Sequence, residues 1–220
     1  MLGYGALRDA PTDGLRLQDQ ADHLAEWVAR NVGGPVHIVG HSVGGAISVL
    51  FAKAFPELVV SLTSVEGNFV LKDAFWSGQI AKKSIPEVQR IIDGYVDDVS
   101  DWLAGSAVIP SDDDIRIGKD WLLNQPASTI IAQAKAVVEA TGDASYLKAA
   151  RAIIDEGTPF HLISGEQSRA GWNVPQWVVE RAATDEVIAD TGHLMMLQKP
   201  VAFAATILRN VCAGPTSGLT

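Results

Sequence analysis

The stretch Val36-His37-Ile38-Val39-Gly40-His41-Ser42-Val43-Gly44-Gly45 decides how this chain is read. Its first four residues suit a short strand that is apolar on both faces, as inside a parallel sheet. Its last six place three glycines around one serine, and small residues then continue as a helix to Phe55, closed by Pro56. Gly40-His41-Ser42-Val43-Gly44 therefore fits G-x-S-x-G in a strand–turn–helix setting. A serine on so sharp a turn is pushed into strained backbone geometry with its hydroxyl exposed. Neighbouring backbone passes close, so Gly40, Gly44 and Gly45 are all read as positions that must stay small. The helix N-terminus points at Ser42, and its dipole favours negative charge developing there.

The flanks extend the same pattern. Residues 17–32 read as an amphipathic helix with Ala21, Leu24, Ala25, Val28 and Val32 on one face, ended by Gly33-Gly34-Pro35. Leu58 to Val65 read as the next strand. Residues 69–155 then carry helical patterns and no convincing strand. Pro86 and Pro126 each open a helix there, and Ser111-Asp112-Asp113-Asp114 marks a loop or helix start. Strand character returns at Pro159–Ser164, a helix follows Pro175, a strand lies near Glu186–Ala189, and a last helix runs from Pro200 to about Val211. This alternation predicts an α/β fold, a parallel sheet with helices on both faces. Residues 1–68 and 156–212 form its core, 69–155 a helical insertion, and 213–220 a flexible tail.

Composition narrows the function classes. With 220 residues, one well-buried domain is expected. Seventeen basic against 26 acidic residues give a net charge of −9, unsuited to nucleic acid or an anionic membrane. The one cysteine, Cys212, excludes an intramolecular disulfide framework and a cysteine-rich metal site. No apolar run reaches the roughly 18 residues of a membrane span. The N-terminus lacks the features of a signal peptide, which makes a cytoplasmic protein the expectation.

With these motifs in place the chain resembles the α/β-hydrolase family over nearly its whole length. Leu2-Gly3-Tyr4-Gly5 is similar to the family's loop before the first large helix, Gly40–Gly45 to its nucleophile elbow, and Thr191-Gly192-His193 with Pro200 to its histidine loop and last helix. The resemblance implies a triad in chain order nucleophile, acid, histidine. Ser42 is then the nucleophile. A serine hydroxyl needs a base, and His193 is the candidate, because it follows a C-terminal strand end where open sheets bind ligands. His37 and His161 read as packed core residues in apolar strands. His23 reads as a surface residue, and His41 as a neighbour of Ser42 aimed away from it.

The acid has two candidates. The usual family position falls on Ser168 in Gly165-Glu166-Gln167-Ser168, and a serine cannot stabilise an imidazolium by charge. Glu66, in Ser64-Val65-Glu66-Gly67-Asn68 at the end of the preceding strand, is the first candidate; some family members, including certain haloalkane dehalogenases, place a glutamate there. Glu166 is the alternative. The Val43 amide is expected to donate to an oxyanion. The family's second donor comes from a loop in the part of its fold that precedes this segment, and it has no candidate here. The insertion 69–155 lies where the family places a cap, and Phe69, Phe75, Trp76, Trp102 and Trp121 bring aromatic surface to it.

Four parallel strands can be counted, fewer than the family's sheet. Val36–Val39 therefore becomes an edge strand, which invites pairing with another chain, and a homodimer through it is an expectation. Three explanations fit: a fragment of a longer hydrolase, a short form completed by a dimer partner or by repacked N-terminal residues, or a remnant that binds ligands without catalysis. The expected activity is a serine hydrolase acting through an acyl-enzyme on an ester, lactone or thioester of an apolar small molecule, with no cofactor or metal. A carbon–carbon bond hydrolase or an acyltransferase would use the same residues, and a non-catalytic ligand-binding protein is the rival from another class.

Overall fold

The structure is a computed structural model that describes residues 1–212; the tail at 213–220 lies outside the described residues. Helix α1 (Leu17–Asn31) buries Leu17, Ala21, Ala25 and Val28, one stripe at helical spacing. Strand β1 (Val36–His41) leads through Ser42 into α2 (Val43–Ala54), and β2 (Val59–Val65) follows. Seven helices or helical segments later come β3 (Phe160–Gly165), α9 (Gln176–Arg181), β4 (Thr184–Ile188), α10 (Met195–Gln198) and α11 (Pro200–Cys212). The intervening α-helices are α3 (Phe75–Ile80), α4 (Ile85–Asp97), α5 (Val99–Ala104), α6 (Asp112–Leu122), α7 (Ala127–Gly142) and α8 (Ala144–Asp155).

The sheet has the order β1-β2-β3-β4 with every pair parallel. The register sets Gly40 opposite Ser64, Val65 opposite Ile163, and Gly165 opposite Ile188. β1 and β2 thus end level with each other, and β3 and β4 end level two residues further on. The residues that leave them, Ser42, Glu66, Glu166 and the loop after Ile188, gather along one edge, where open parallel sheets carry their sites.

Side chains alternate between the faces at the two-residue period of a strand. Ile38, Leu62, Phe160 and Leu162 meet α1, α2, α8 and α9 in the largest apolar cluster. Val65, Ile163 and Ile188 meet Met195, Phe203 and Ile207 of α10 and α11 on the other face. Full burial of one such aliphatic or aromatic side chain contributes about 1.5–3 kcal/mol. The expected edge position of β1 is found, but the packed-core reading of His37 is not. At that edge His37 and Val39 stand exposed rather than in a core. His37 Nδ1 lies 2.7 Å from Ser61 Oγ. His161 sits on central β3 and is buried.

Residues 69–155 are helical, as their patterns predict. Their packing divides them. Ile80, Val88, Ile92, Ile130 and Ile131 make one cluster from α3, α4 and the start of α7. Val99, Leu103 and Leu122 make another from α5 and α6. Helix α8 and the second half of α7 join the main core through Ala136, Val137, Ala150 and Ile153. Two aromatic expectations change. Phe69 is buried in the main core against Phe160 and Trp172, because it follows β2 before the chain turns outward. Phe75 is 73% exposed. No helix among the described residues is long and apolar enough to cross a membrane.

The turn after β1 owes its shape to two of its three glycines. A Cβ on Gly40 would run into the Gly44 carbonyl and Ser48 Oγ, and one on Gly45 would lie 2.5 Å from Gly67 Cα. A Cβ on Gly44 would meet nothing within 4 Å, so the expectation that Gly44 must stay small fails. Gly40→Ala is therefore expected to lose about 1–3 kcal/mol in urea denaturation. Gly44→Ala, inside a helix, is expected to be neutral or to gain up to about 1 kcal/mol. Equal losses at the two positions would contradict this packing.

Candidate active site

Ser42 is the residue between β1 and α2, and its backbone shows what that junction requires. Its φ is 53° and ψ −121°, outside the regions open to an ordinary L-residue, a strain of about 1–3 kcal/mol. The turn is held from both sides. Ser42 N–H donates to the Val65 carbonyl at 3.0 Å, and its own carbonyl accepts from Gly45 N–H at 2.9 Å and Asn68 N–H at 3.3 Å. Val43 opens α2, so its N–H is one of the four that a helix leaves without an internal acceptor.

Glu66 leaves the end of β2, also with positive φ, 42°. Its carboxylate is buried yet fully engaged. Oε1 accepts from Gly165 N–H at 2.9 Å and from Ser168 Oγ at 2.5 Å, and Oε2 lies 2.6 Å from His193 Nδ1. Burial by itself raises the pKa of this carboxyl. The hydrogen bonds from His193 and Ser168, the charge of His193 and the Gly165 amide more than offset that, and it falls below the usual glutamate value. An ionised carboxylate only accepts, so Nδ1 of His193 carries the proton. Nε2 is then the ring nitrogen left for general-base work.

His193 sits in a short loop whose backbone is pinned from several directions. Glu166 accepts from Asp190 N–H at 2.8 Å, Gln167 N–H donates to the Thr191 carbonyl at 2.8 Å, and Gln198 Oε1 accepts from Gly192 N–H at 2.7 Å. His41 Nε2 lies 2.9 Å from the His193 carbonyl, which can only accept, so Nε2 bears the proton. The two imidazole rings are 4.4 Å apart at their centroids. Burial, followed by the charge of His193, lowers the His41 pKa to about 3, so His41 stays neutral through the working range.

Of the candidate residues, the structure brings Glu66 and His193 into direct contact and sets His193 against the neighbour of Ser42. Among the described residues, no hydrogen bond joins Ser42 Oγ to His193 Nε2; such bonds commonly tighten only when substrate is present. Glu166 is not part of the cluster, since its carboxylate is turned to the Asp190 amide on the outer side of the loop. Two contributors escaped the sequence reading. Ser168 supplies a donor to Glu66, and His41 a donor to the His193 backbone. Ser168 carried a signal, because it occupies the position where a carboxylate was expected; His41 carried none. Among the described residues, no group of three or more His, Cys, Asp or Glu side chains is arranged to hold a metal ion. A cavity of about 660 Å³ lies away from this cluster, between Leu17, Leu50, Ala136, Tyr146 and Ala149 of α1, α2, α7 and α8.

Comparison with known proteins shows the family and the fold. A model of the Alpha/beta hydrolase family matches residues 1–206. "Lipase 3" of Moraxella sp. (strain TA144) is 34% identical over 83 residues, 37% of this chain and 25% of that protein. The "Putative carbamate hydrolase RutD" of Pantoea ananatis (strain LMG 20103) is 37% identical over 70 residues, 31% of this chain and 25% of that protein. The matched stretch thus spans a quarter of either relative's length. Among solved structures, MenH from S. aureus superposes with a TM-score of 0.66 at 14% identity, covering 90% of this chain and 75% of that one, a likeness of fold.

The lowered pKa of His41 makes a prediction about stability. Its folded value lies below its unfolded value, so the unfolded chain binds the extra proton first. Stability from His41 is complete above about pH 6.5 and is lost as pH falls towards about 3. His161, also lowered by burial, acts in the same direction. Unfolding free energy measured between pH 6.5 and 5, above the range where Glu66 titrates, is expected to fall with pH in the wild type and less steeply in His41→Gln. An unchanged slope in the variant would contradict the assignment.

Proposed function

The chain belongs to the alpha/beta hydrolase family, and on that premise we propose that it is a serine hydrolase working through Ser42, His193 and Glu66. Ser42 Oγ attacks a substrate carbonyl while His193 Nε2 takes its proton. Glu66 fixes the imidazole tautomer and stabilises the imidazolium that forms. The Val43 N–H donates to the oxyanion at the start of α2, where the helix dipole also favours negative charge. His193 returns the proton to the leaving group, and water then hydrolyses the acyl-enzyme by the same route in reverse. The substrate class is an ester, lactone or thioester of an apolar small molecule, received beneath the helices of the insertion. A carbon–carbon bond hydrolase or an acyltransferase would differ only in what meets the acyl-enzyme.

The observation that supports this most is the 2.6 Å contact of Glu66 with His193 Nδ1, made beside a serine held at φ 53°. Two strained non-glycine residues, Ser42 and Glu66, stand at the ends of adjacent strands, and such strain concentrates at functional sites. One observation favours a non-catalytic ligand-binding protein on the same fold: Val43 is the single oxyanion donor identified among the described residues. Loss of one such donor costs about 2.7–4 kcal/mol of transition-state stabilisation.

A fluorophosphonate probe separates the two readings. The wild type is expected to be labelled and Ser42→Ala not; an unlabelled, folded wild type would leave the binding protein. Within the enzyme, Glu66→Gln is expected to lower the labelling rate about 10²–10⁴-fold. Glu166→Gln is expected to lower it a few-fold at most, and the reverse order would remove Glu66 from the triad. We also propose that two copies pair along the open edge of β1, where Val39 is 40% exposed. Light scattering is expected to show a dimer, and a strict monomer would contradict the pairing.

A further inference from the structure

The insertion is joined to the histidine loop by hydrogen bonds of a side chain that no step above uses. Gln198 ends α10. Its Oε1 accepts from Gly192 N–H at 2.7 Å, and its Nε2 donates to the Ala107 carbonyl at 2.7 Å. Gly192 is the residue before His193. Ala107 lies in the turn between α5 and α6, 91 residues away in sequence. One amide therefore spans the loop that carries His193 and the turn that belongs to the insertion.

Three further features meet there. A Cβ on Gly192 would stand 2.7 Å from the Ser106 carbonyl, so the turn lies directly on the loop. Val108, the next residue of the turn, is buried in one cluster with Leu103, Leu122 and Leu194, and Leu194 follows His193. Ala107 has φ 61°, a conformation an alanine holds only where its surroundings over-determine it. The polar bridge, the close backbone approach and the shared apolar cluster all tie the same two segments.

We propose that Gln198 is a positioning residue that clamps the α5–α6 turn of the insertion to the His193 loop, so that seating of the turn and placement of His193 form a single equilibrium. The role rests on the serine-hydrolase reading of His193. The clamp itself is a physical coupling that can be measured without activity. With both hydrogen bonds made, the loop presents Nδ1 to Glu66. Without them, Gly192 N–H loses its acceptor, the turn lifts, and the imidazole samples other positions. A substrate that presses the turn down favours the placed histidine.

Hydrogen exchange tests the clamp directly. Gln198→Ala is expected to speed exchange in residues 104–109 and in residues 189–194 together. Gln198→Glu keeps an acceptor for Gly192 but offers no donor to Ala107, and is expected to speed exchange in both segments, by less than Gln198→Ala. Acceleration of one segment only in Gln198→Ala, or of neither, would overturn the coupling. Should Gln198→Ala not fold, Gln198→Glu carries the exchange comparison. Fluorophosphonate kinetics test the positioning role. Gln198→Ala is expected to lower the maximal labelling rate about ten- to hundredfold while the half-saturating probe concentration stays unchanged. A merely destabilised fold would reduce the labelled fraction without that split, and an unchanged maximal rate would overturn the role. Absence of labelling in the wild type would instead overturn the serine-hydrolase reading, with the exchange result still deciding the clamp.

Discussion

Three separate pieces of chain converge on the buried carboxylate of Glu66. It leaves β2, takes a backbone N–H from the end of β3, a hydroxyl from the turn that follows, and an imidazole from the loop beyond β4. Taking a carboxylate out of water costs several kcal/mol unless its lone pairs are met, and here three donors meet them. That requirement fixes the separation of the strand ends, the course of the turn at Ser168 and the direction of the His193 ring. The parallel register makes it possible, since it brings all four strand ends to the same edge of the sheet. A plain structural ion pair would also satisfy a buried carboxylate. What distinguishes this one is its place beside a strained serine at the end of the neighbouring strand.

Much of the fold was legible because it rests on local signals. The glycine-rich turn after an apolar strand, the 3.6-residue stripe of α1 and the prolines that open α4 and precede α7 are all short-range features. Glu66 could be picked out because it stands where β2 ends and because Ser168 cannot carry charge. The misreadings share a cause. His37, Phe69 and Gly44 were placed by their sequence neighbours, whereas their surroundings are set by the edge of the sheet, the path after β2 and the open side of α2. The short helix α10 and the reach of Gln198 to Ala107 had no sequence pattern at all, because a bridge across 91 residues leaves no periodicity to detect.

The insertion packs in two distinct ways. Part of it, α8 and the second half of α7, belongs to the main core, so it cannot move without disturbing α2. The α5–α6 pair is different. It packs on its own cluster and on the histidine loop, and Gln198 is the polar link between them.

The hydrogen bond between Glu66 and His193 is the claim on which the chemistry depends, and proton NMR reads it without a substrate. A charge-assisted N–H···O contact of this length shifts the imidazole proton far downfield. The account predicts such a resonance in the wild type, retained in Glu166→Gln and abolished in Glu66→Gln. A resonance that survives Glu66→Gln, or that disappears with Glu166→Gln, would contradict it.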